Sequence, residues 1–430
     1  MFEKYKRDLQ QLGTPFVLVL VSEMATLSAL LLGNMTLTWW IAQHGGARDL
    51  AIFGMAIAAA SLVAIPLLSP LGDRYPKKRL MAISFVAIAG ESVVLAMLAQ
   101  ADDYSLYAII ACEMVGVCAV AIILPCMQTI ASELVSADKL SVAISLQKVS
   151  GSIGGILGPA LGGGVIAASG VASALWLHVV LLLAAAYAAT RLPTVAAAGA
   201  AAAAGLTQWM RELHGGLRMK WQLPLERRWT CVNLIIGMFY APAIGMLLPL
   251  RVTGLGLSAA WLGAANMAIM SGMFLGFLGF ASIVSNRIGR FRALLGSVLL
   301  RAVALLVIGL SASPELLVAA FWMLGLSQAT IQFVGVTHRM LATPAGYRAR
   351  SASVNMMAWQ ISSTLGPGLA GLALLGVSVA QCYVAFGIVI AGCTMGLSTI
   401  PKIREFLSLD HDAVTGWYEK EIPGLFHNNP

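Results

Sequence analysis

Apolar residues run through this chain in blocks of about 20 or more, separated by short polar and basic breaks. The blocks fall at 15–43, 50–72, 79–100, 104–131, 140–168 and 171–192, and again at 228–253, 258–285, 291–312, 314–340, 350–375 and 378–400. An α-helix rises 1.5 Å per residue, so each block is long enough to cross a hydrocarbon core of about 30 Å. The pattern predicts twelve transmembrane helices, spans one to twelve. The first block exceeds the roughly 7–15 residues of a signal-peptide core and has no small-residue cleavage site, so it reads as a retained helix.

Composition agrees with a lipid solvent: of 430 residues 59% are apolar and 11% charged, against roughly 25% charged in an ordinary soluble domain. The net charge of +8 sits where it sets orientation. Lys4, Lys6 and Arg7 precede span one; Arg74, Lys77, Lys78 and Arg79 follow span two; Arg287, Arg290 and Arg292 follow span eight; Arg339, Arg348 and Arg350 follow span ten. The opposite loops hold only Arg48 and Arg251, with Asp102 and Asp103 in one of them. An even number of spans then puts both termini in the cytoplasm of a bacterial-type cell whose inner membrane the chain crosses repeatedly. This charge excludes a nucleic-acid patch. Six cysteines, Cys112, Cys118, Cys126, Cys231, Cys382 and Cys393, fall within spans and form no metal spacing, so no metal or other cofactor is expected.

The plan occurs twice. Asp73-Arg74 after span two corresponds to Asn286-Arg287 after span eight, 213 residues on, and Gly158-Pro159 to Gly366-Pro367, 208 residues on. The predicted organisation is a six-helix bundle at 1–192, a cytoplasmic linker at 193–227, a second six-helix bundle at 228–400 and a cytoplasmic tail at 401–430, the bundles enclosing a substrate path. In the linker, an alanine tract at 196–204 precedes Leu206, Trp209, Met210, Leu213 and Leu217 at helical spacing, opposite Arg211, His214, Arg218 and Lys220. That predicts a helix lying in the membrane interface. The tail reads as a solvated appendage.

Two motifs carry a family resemblance. Ser69-Pro70-Leu71-Gly72-Asp73-Arg74-Tyr75-Pro76-Lys77-Lys78-Arg79 resembles the loop between helices two and three of the major facilitator superfamily, with Ser69 and Pro76 replacing two glycines. Gly154-Gly155-Ile156-Leu157-Gly158-Pro159-Ala160-Leu161-Gly162-Gly163 is similar to the antiporter motif on helix five, with Ser145 in place of its distal glycine. The resemblance extends to the twelve-span drug and siderophore exporter branch. It implies an all-α membrane protein of two pseudo-symmetric bundles and a conformational gate of Asp73, Arg74, Lys77, Lys78, Arg79, Asn286 and Arg287, in which Asp73 latches the cytoplasmic side. It also implies that Gly154, Gly158, Pro159, Gly162 and Gly163, with Gly366 and Pro367, form close helix contacts of the exporter kind. Generic helix packing is the alternative for the glycines, and a purely topogenic role for the loop.

Ionisable residues inside lipid are costly and mark candidate sites. Glu23 on span one and Glu113 on span four lie about 12 and 14 Å from opposite ends of their helices, hence at similar depth. The resembled fold lines its cavity with helices one, four, seven and ten, so both carboxyls are candidates for proton coupling; the alternative is a protonated side chain bonded between helices. Asn34, Thr38 and Trp39 on span one, Gln128 on span four, Asn233 and Tyr240 on span seven, Gln328 and Gln332 on span ten and Gln360 on span eleven form a polar set suited to an organic solute. Trp39 and Trp40 fit either an external lip or an interfacial belt. Glu91, Lys148, His178 and Arg301 do not fit this lining; ion pairs within one half are expected for the charges, and an interfacial place for His178.

The sequence thus reads as a secondary transporter, a monomer working by alternating access on a small molecule and protons, and by preference an exporter of a drug or siderophore. Uptake by proton symport of an organic solute or metal chelate is the alternative. No GxxxxGK[ST] phosphate loop suggests nucleotide power. A membrane-embedded enzyme would need a denser catalytic set, and a receptor larger external domains.

Overall fold

The computed structural model describes residues 2–68, 71–135, 139–193, 206–344 and 347–422; at 2–15, 73–74, 131–133, 140–141, 206–209, 212, 349 and 411 it describes the backbone alone. All described elements are helices: α1 (Phe2–His44), α2 (Gly46–Leu68), α3 (Leu71–Arg74), α4 (Lys77–Gln100), α5 (Leu106–Leu134), α6 (Leu140–Thr190), α7 (Leu206–Gln222), α8 (Pro224–Gly245), α9 (Leu247–Gly254), α10 (Ala259–Leu275), a π-turn (Gly276–Phe280), α11 (Ala281–Ile288), α12 (Arg290–Leu310), α13 (Pro314–Ala342), α14 (Arg348–Ala373), α15 (Val379–Ser398), and the short α16 (Ile403–Ser408), α17 (His411–Val414) and α18 (Trp417–Glu421).

Among the described residues nine helices are long and apolar enough to cross a membrane, and α8 with α9, bent by 42° at their break, makes a tenth. The twelve expected spans follow from two physical details. Helix α6 is two spans in one apolar run, broken at Gly170, whose φ of 83° and ψ of 176° no helix contains; a side chain there would be strained. Helix α14 has 26 residues, but Arg348, Arg350, Ser351, Ser353 and Asn355 at its start keep its hydropathy low. Span eight runs from α10 through the π-turn, where Gly279 takes φ 150°, into α11. Where the chain turns sharply, polar caps hold the helix starts: Ser313 accepts from the Leu316 amide before α13, and Ser378 with Gln381 forms a capping box before α15.

The chain divides into two compact units, Met1–Leu206 with Val252–Met267, and Thr207–Arg251 with Ala268–Pro430. In the first, α1 packs along α6. Ser28 Oγ donates to the Gly154 carbonyl (3.1 Å) and Ser150 Oγ to the Leu20 carbonyl (2.6 Å). A methyl built on Gly158 would lie 2.5 Å from the Ser28 carbonyl oxygen, so only glycine lets the backbones meet here. The second unit repeats this contact between α8 and α14. There Ser362 Oγ donates to the Leu234 carbonyl (2.9 Å), and a methyl on Gly366 would lie 2.6 Å from the Met238 carbonyl oxygen. Both contacts recur about two hundred residues on, as the repeated sequence plan requires.

One expectation, the solvated tail, is corrected, and the docking face of the linker helix is defined. The tail, up to residue 422, is packed: Phe406 and Tyr418 are fully buried and stacked 5.8 Å apart, with Phe406 edge-on to Trp229, His338 and Trp417. The Arg290 guanidinium donates to the Leu409 carbonyl, and the Gly416 amide to the Leu341 carbonyl. Residues 423–430, like the alanine tract 196–204, lie outside the described residues. On α7 the buried positions are Leu213, Gly216, Met219 and Lys220, while Met210, Leu217 and Trp221 are exposed. Helix α7 docks through Leu213, Gly216, Met219 and Lys220, its backbone at Gly216 lying on the Arg350 carbonyl, and leaves Met210 and Leu217 of the apolar stripe outward.

Candidate functional site

A cavity of about 210 Å³ opens within the second unit between α8, α12, α13 and α14. Asn233, Gln328 and Gln332 line it as the sequence suggests, together with Thr230, Asn355, Trp229 and Trp359. Two arginines also line it, Arg301 and Arg339. Arg301, 3% exposed, was expected to lie outside the lining in an ion pair within one half. Instead it points into the cavity, donating from Nε to Ser327 Oγ (3.4 Å) and from Nη2 to Gln328 Oε1, with its guanidinium carbon 4.1 Å from the centre of the Tyr240 ring. Tyr240 thus stands behind Arg301 and off the cavity wall.

Arg339 is held differently. Its Nε and Nη2 donate to the two oxygens of Glu226 (2.7 and 2.6 Å), and Lys220 Nζ donates to Oε2 of the same carboxylate (2.7 Å). The Tyr418 hydroxyl donates to Oε1 (2.5 Å). Asn355 Oδ1 accepts from Lys220 (2.9 Å), and Thr230 Oγ1 accepts from Arg339 (3.2 Å). Glu226 is 1% exposed, and all its lone-pair directions are met by charge-assisted donors. Two cations share one carboxylate, and burial together with the Arg339 charge draws the Lys220 ammonium down to about 8 against the pull of Glu226. The knot ties α7, α8, α13, α14 and the tail together at one end of the cavity. Arg339, read in the sequence as an orientation charge, and Lys220, read on the polar face of the linker helix, are buried partners here.

In the first unit the carboxyls separate. Glu113 on α5 lies beside Glu91 on α4, close enough for the two charges to interact. The Glu91 carboxylate rests on Gly116, where a methyl would come 2.7 Å from Oε1. Among the described residues no cation pairs with either, so the ion pair expected for Glu91 is replaced by a second carboxyl. Glu91 Oε2 has no hydrogen-bond partner. Glu23 on α1 instead enters a niche inside the bundle lined by Ser22, Met81, Met127, Ile130, Gln147 and Leu192, and its Oε2 is likewise unpartnered. His178 is not interfacial: it is 6% exposed, bonded through Nδ1 to Ser92 Oγ (3.0 Å) and pressed against Gly33.

The remaining candidates scatter. Asn34 and Gln128 are exposed on the first unit, Gln360 is half-buried on α14 outside the cavity, and Thr38 bonds back to its own helix at Asn34 and Met35. Trp39 and Trp40 are buried, and Trp40 meets His44 and Tyr104 edge-on, so they form neither an open lip nor a lipid belt. Lys148 is exposed. Of the gate, the side chains of Asp73 and Arg74 lie outside the described residues, Lys78 Nζ donates to the Leu192 carbonyl (3.0 Å), Lys77 is half-buried, and Arg79, Asn286 and Arg287 are exposed. Asn286 edges a cleft that also holds Arg290, Arg292, Arg404 and Asp410. The glycine run presents two faces. Gly154, Gly158 and Gly162 lie on α1, whereas Gly163 and Pro159 meet Gly263 of α10.

Sequence reasoning missed the Glu226 knot and the Glu91–Glu113 pair. The latter had a signal: Glu91 lies nine residues before the end of α4 and Glu113 seven after the start of α5, so two neighbours joined by one short loop hold them at nearly equal depth.

The fold resembles that of known transporters. The nucleoside transporter NupG superposes with a TM-score of 0.72 at 14% identity, covering 90% of this chain and 100% of that one. A peptide transporter POT variant in complex with sulfate superposes at 0.68 and 14% identity, covering 92% and 96%. At this identity the likeness shows the fold. No curated protein matches the sequence. Residues 19–294 match the pattern of the Major Facilitator Superfamily. With that match over more than half its length, and a fold shared with solute carriers, this chain belongs to the Major Facilitator Superfamily, as a multi-pass membrane transporter and not an enzyme.

Proposed function

We propose that the protein exports a small organic solute of the drug or siderophore class in exchange for protons, by alternating access. The observation that carries the coupling is the Glu91–Glu113 pair, two adjacent carboxyls inside a membrane bundle with no cation beside them among the described residues. Two such groups cannot both be charged cheaply, so the pair is suited to take up and release a proton as its exposure changes. The cavity of the second unit offers the solute amides, aromatic faces and a guanidinium. Its 210 Å³ is below the roughly 300–1,000 Å³ of pockets for drug-sized ligands, so in this conformation it suits a small organic solute and not a siderophore. The glycine run supports export, since its resemblance is to the antiporter motif, and Asp73 serves as the cytoplasmic latch.

Proteoliposomes with an imposed pH gradient test the coupling, screened with organic cations, siderophores and amino acids. Glu113→Gln and Glu91→Gln are expected to insert normally, lose gradient-driven transport at least tenfold, and keep solute counterflow. Wild-type rates in both variants would overturn the assignment, and accumulation along an inward proton gradient would make the protein an uptake symporter.

A further inference from the structure

The two buried arginines of the cavity differ in one respect: Arg339 is paired fork to fork with Glu226, and Arg301 has no acidic partner among the described residues. Every partner of Arg301 among the described residues is uncharged, namely the Ser327 hydroxyl, the Gln328 amide oxygen and the Tyr240 ring. A guanidinium is always charged and has five N–H donors. Nε and one Nη2 hydrogen are used, and Nη1 makes no hydrogen bond to a described residue. At 3% exposure such a charge is costly unless an anion meets it. The stacking ring and the Gln328 amide fix the plane of the fork, which leaves its remaining donors oriented toward the cavity.

We propose that the cavity binds an organic carboxylate through Arg301; the proposal rests on reading this cavity as the solute's site. One guanidinium neutralises one monoanion, and its parallel N–H groups match the two oxygens of a carboxylate. Arg339 and Lys220 direct their donors to Glu226, Thr230 and Asn355, so Arg301 alone offers a free fork, which matches a carboxylate better than a phosphate monoester. Asn233 and Gln332 are placed for hydrogen bonds to the rest of the solute, and Ile331, Val336 and Trp359 for its apolar part.

The full chain in lipid nanodiscs is titrated with benzoate, 2-naphthoate and decanoate, and with benzamide and benzylamine, reading tryptophan fluorescence from Trp229 and Trp359 in the cavity wall. At least one carboxylate is expected to bind tenfold or more tightly than benzamide and benzylamine. Arg301→Gln is expected to weaken that carboxylate at least tenfold. Gln328→Glu places an internal carboxylate on the guanidinium, so it is expected to keep or raise thermal stability while abolishing carboxylate binding, and it keeps the test valid if Arg301→Gln fails to fold. Carboxylate binding unchanged in Gln328→Glu, preference of the wild type for benzylamine, or failure of all three carboxylates to bind would overturn the proposal. Binding is read without a pH gradient, so an Arg301-dependent carboxylate that no gradient drives would remove the coupling and leave the site standing.

Discussion

Glu226 and Glu91 are both buried carboxyls, and their neighbours give them opposite expectations. Glu226 has two cations and a phenol on its oxygens, so Glu226→Gln leaves Lys220 and Arg339 buried around a neutral amide. Breaking a buried pair in this way costs about 3–5 kcal/mol. The thermal unfolding midpoint in detergent should fall clearly, and Glu226→Gln combined with Arg339→Gln should recover part of the loss, because the stranded charge goes with its partner. An unchanged midpoint in the single variant would make the knot energetically idle. Little of this was legible, since Leu225-Glu226-Arg227-Arg228 reads as charge at a membrane surface and the partners come from three other helices. Arg301 was legible as a costly residue inside span nine, but its surroundings were not, because Tyr240, Ser327 and Gln328 lie on other helices. Asn233, Gln328 and Gln332 were recognisable as a set because helical spacing alone puts the two glutamines on one face.

Helix α6 shows which part of an element its sequence specifies. The glycine run announces close approach to a neighbour, but not which neighbour, and the two differ along its faces: Gly158 lies on α1 and Gly163 on Gly263 of α10. Five residues at about 100° each separate these glycines by roughly 140° around the helix, so a leucine at each probes a different contact. Gly158→Leu overpacks the α1 seam, which typically costs about 1–3 kcal/mol, and should lower thermal stability without a proton leak. If the contact with α10 seals the path of an exporter, Gly163→Leu should leak protons in liposomes at matched amounts of folded protein. A Gly163→Leu protein that holds a pH gradient like the wild type would reduce the run to packing. The same helix shows a boundary that the sequence does mark, since the break at Gly170 falls between the blocks 140–168 and 171–192 although the helix runs on across it. Helix α14, read from the block 350–375, is a span whose polar first turns lower its hydropathy and whose repeat of the α6 contact supports it.

For the molecule as a whole, the duplicated plan was legible because matching motifs recur at offsets of 208 and 213 residues, and the serine and glycine contacts of α1–α6 and α8–α14 recur with them. The tail was illegible for a physical reason: three helices of 4–6 residues are too short for periodicity to show, and their burial depends on a surface made by α8, α12 and α13. Phe406 is fully enclosed there by Trp229, His338, Trp417 and Tyr418. Truncating such a side chain costs about 3–5 kcal/mol, so Phe406→Ala should loosen the second unit. Removing the Tyr418 hydroxyl costs one bond to a charged group, about 1.5–3 kcal/mol, so Tyr418→Phe should do so less. Three cysteines report where the loosening occurs, because Cys382 and Cys393 are buried in the second unit and Cys126 in the first. Under mild denaturant, maleimide labelling of Cys382 and Cys393 should accelerate in Phe406→Ala, less in Tyr418→Phe, and most in a chain ending at Ile400, while Cys126 keeps its wild-type rate. Wild-type labelling of all three cysteines in the truncated chain would return the tail to a solvated appendage, whereas faster labelling confined to the second unit would make residues 401–422 part of its fold.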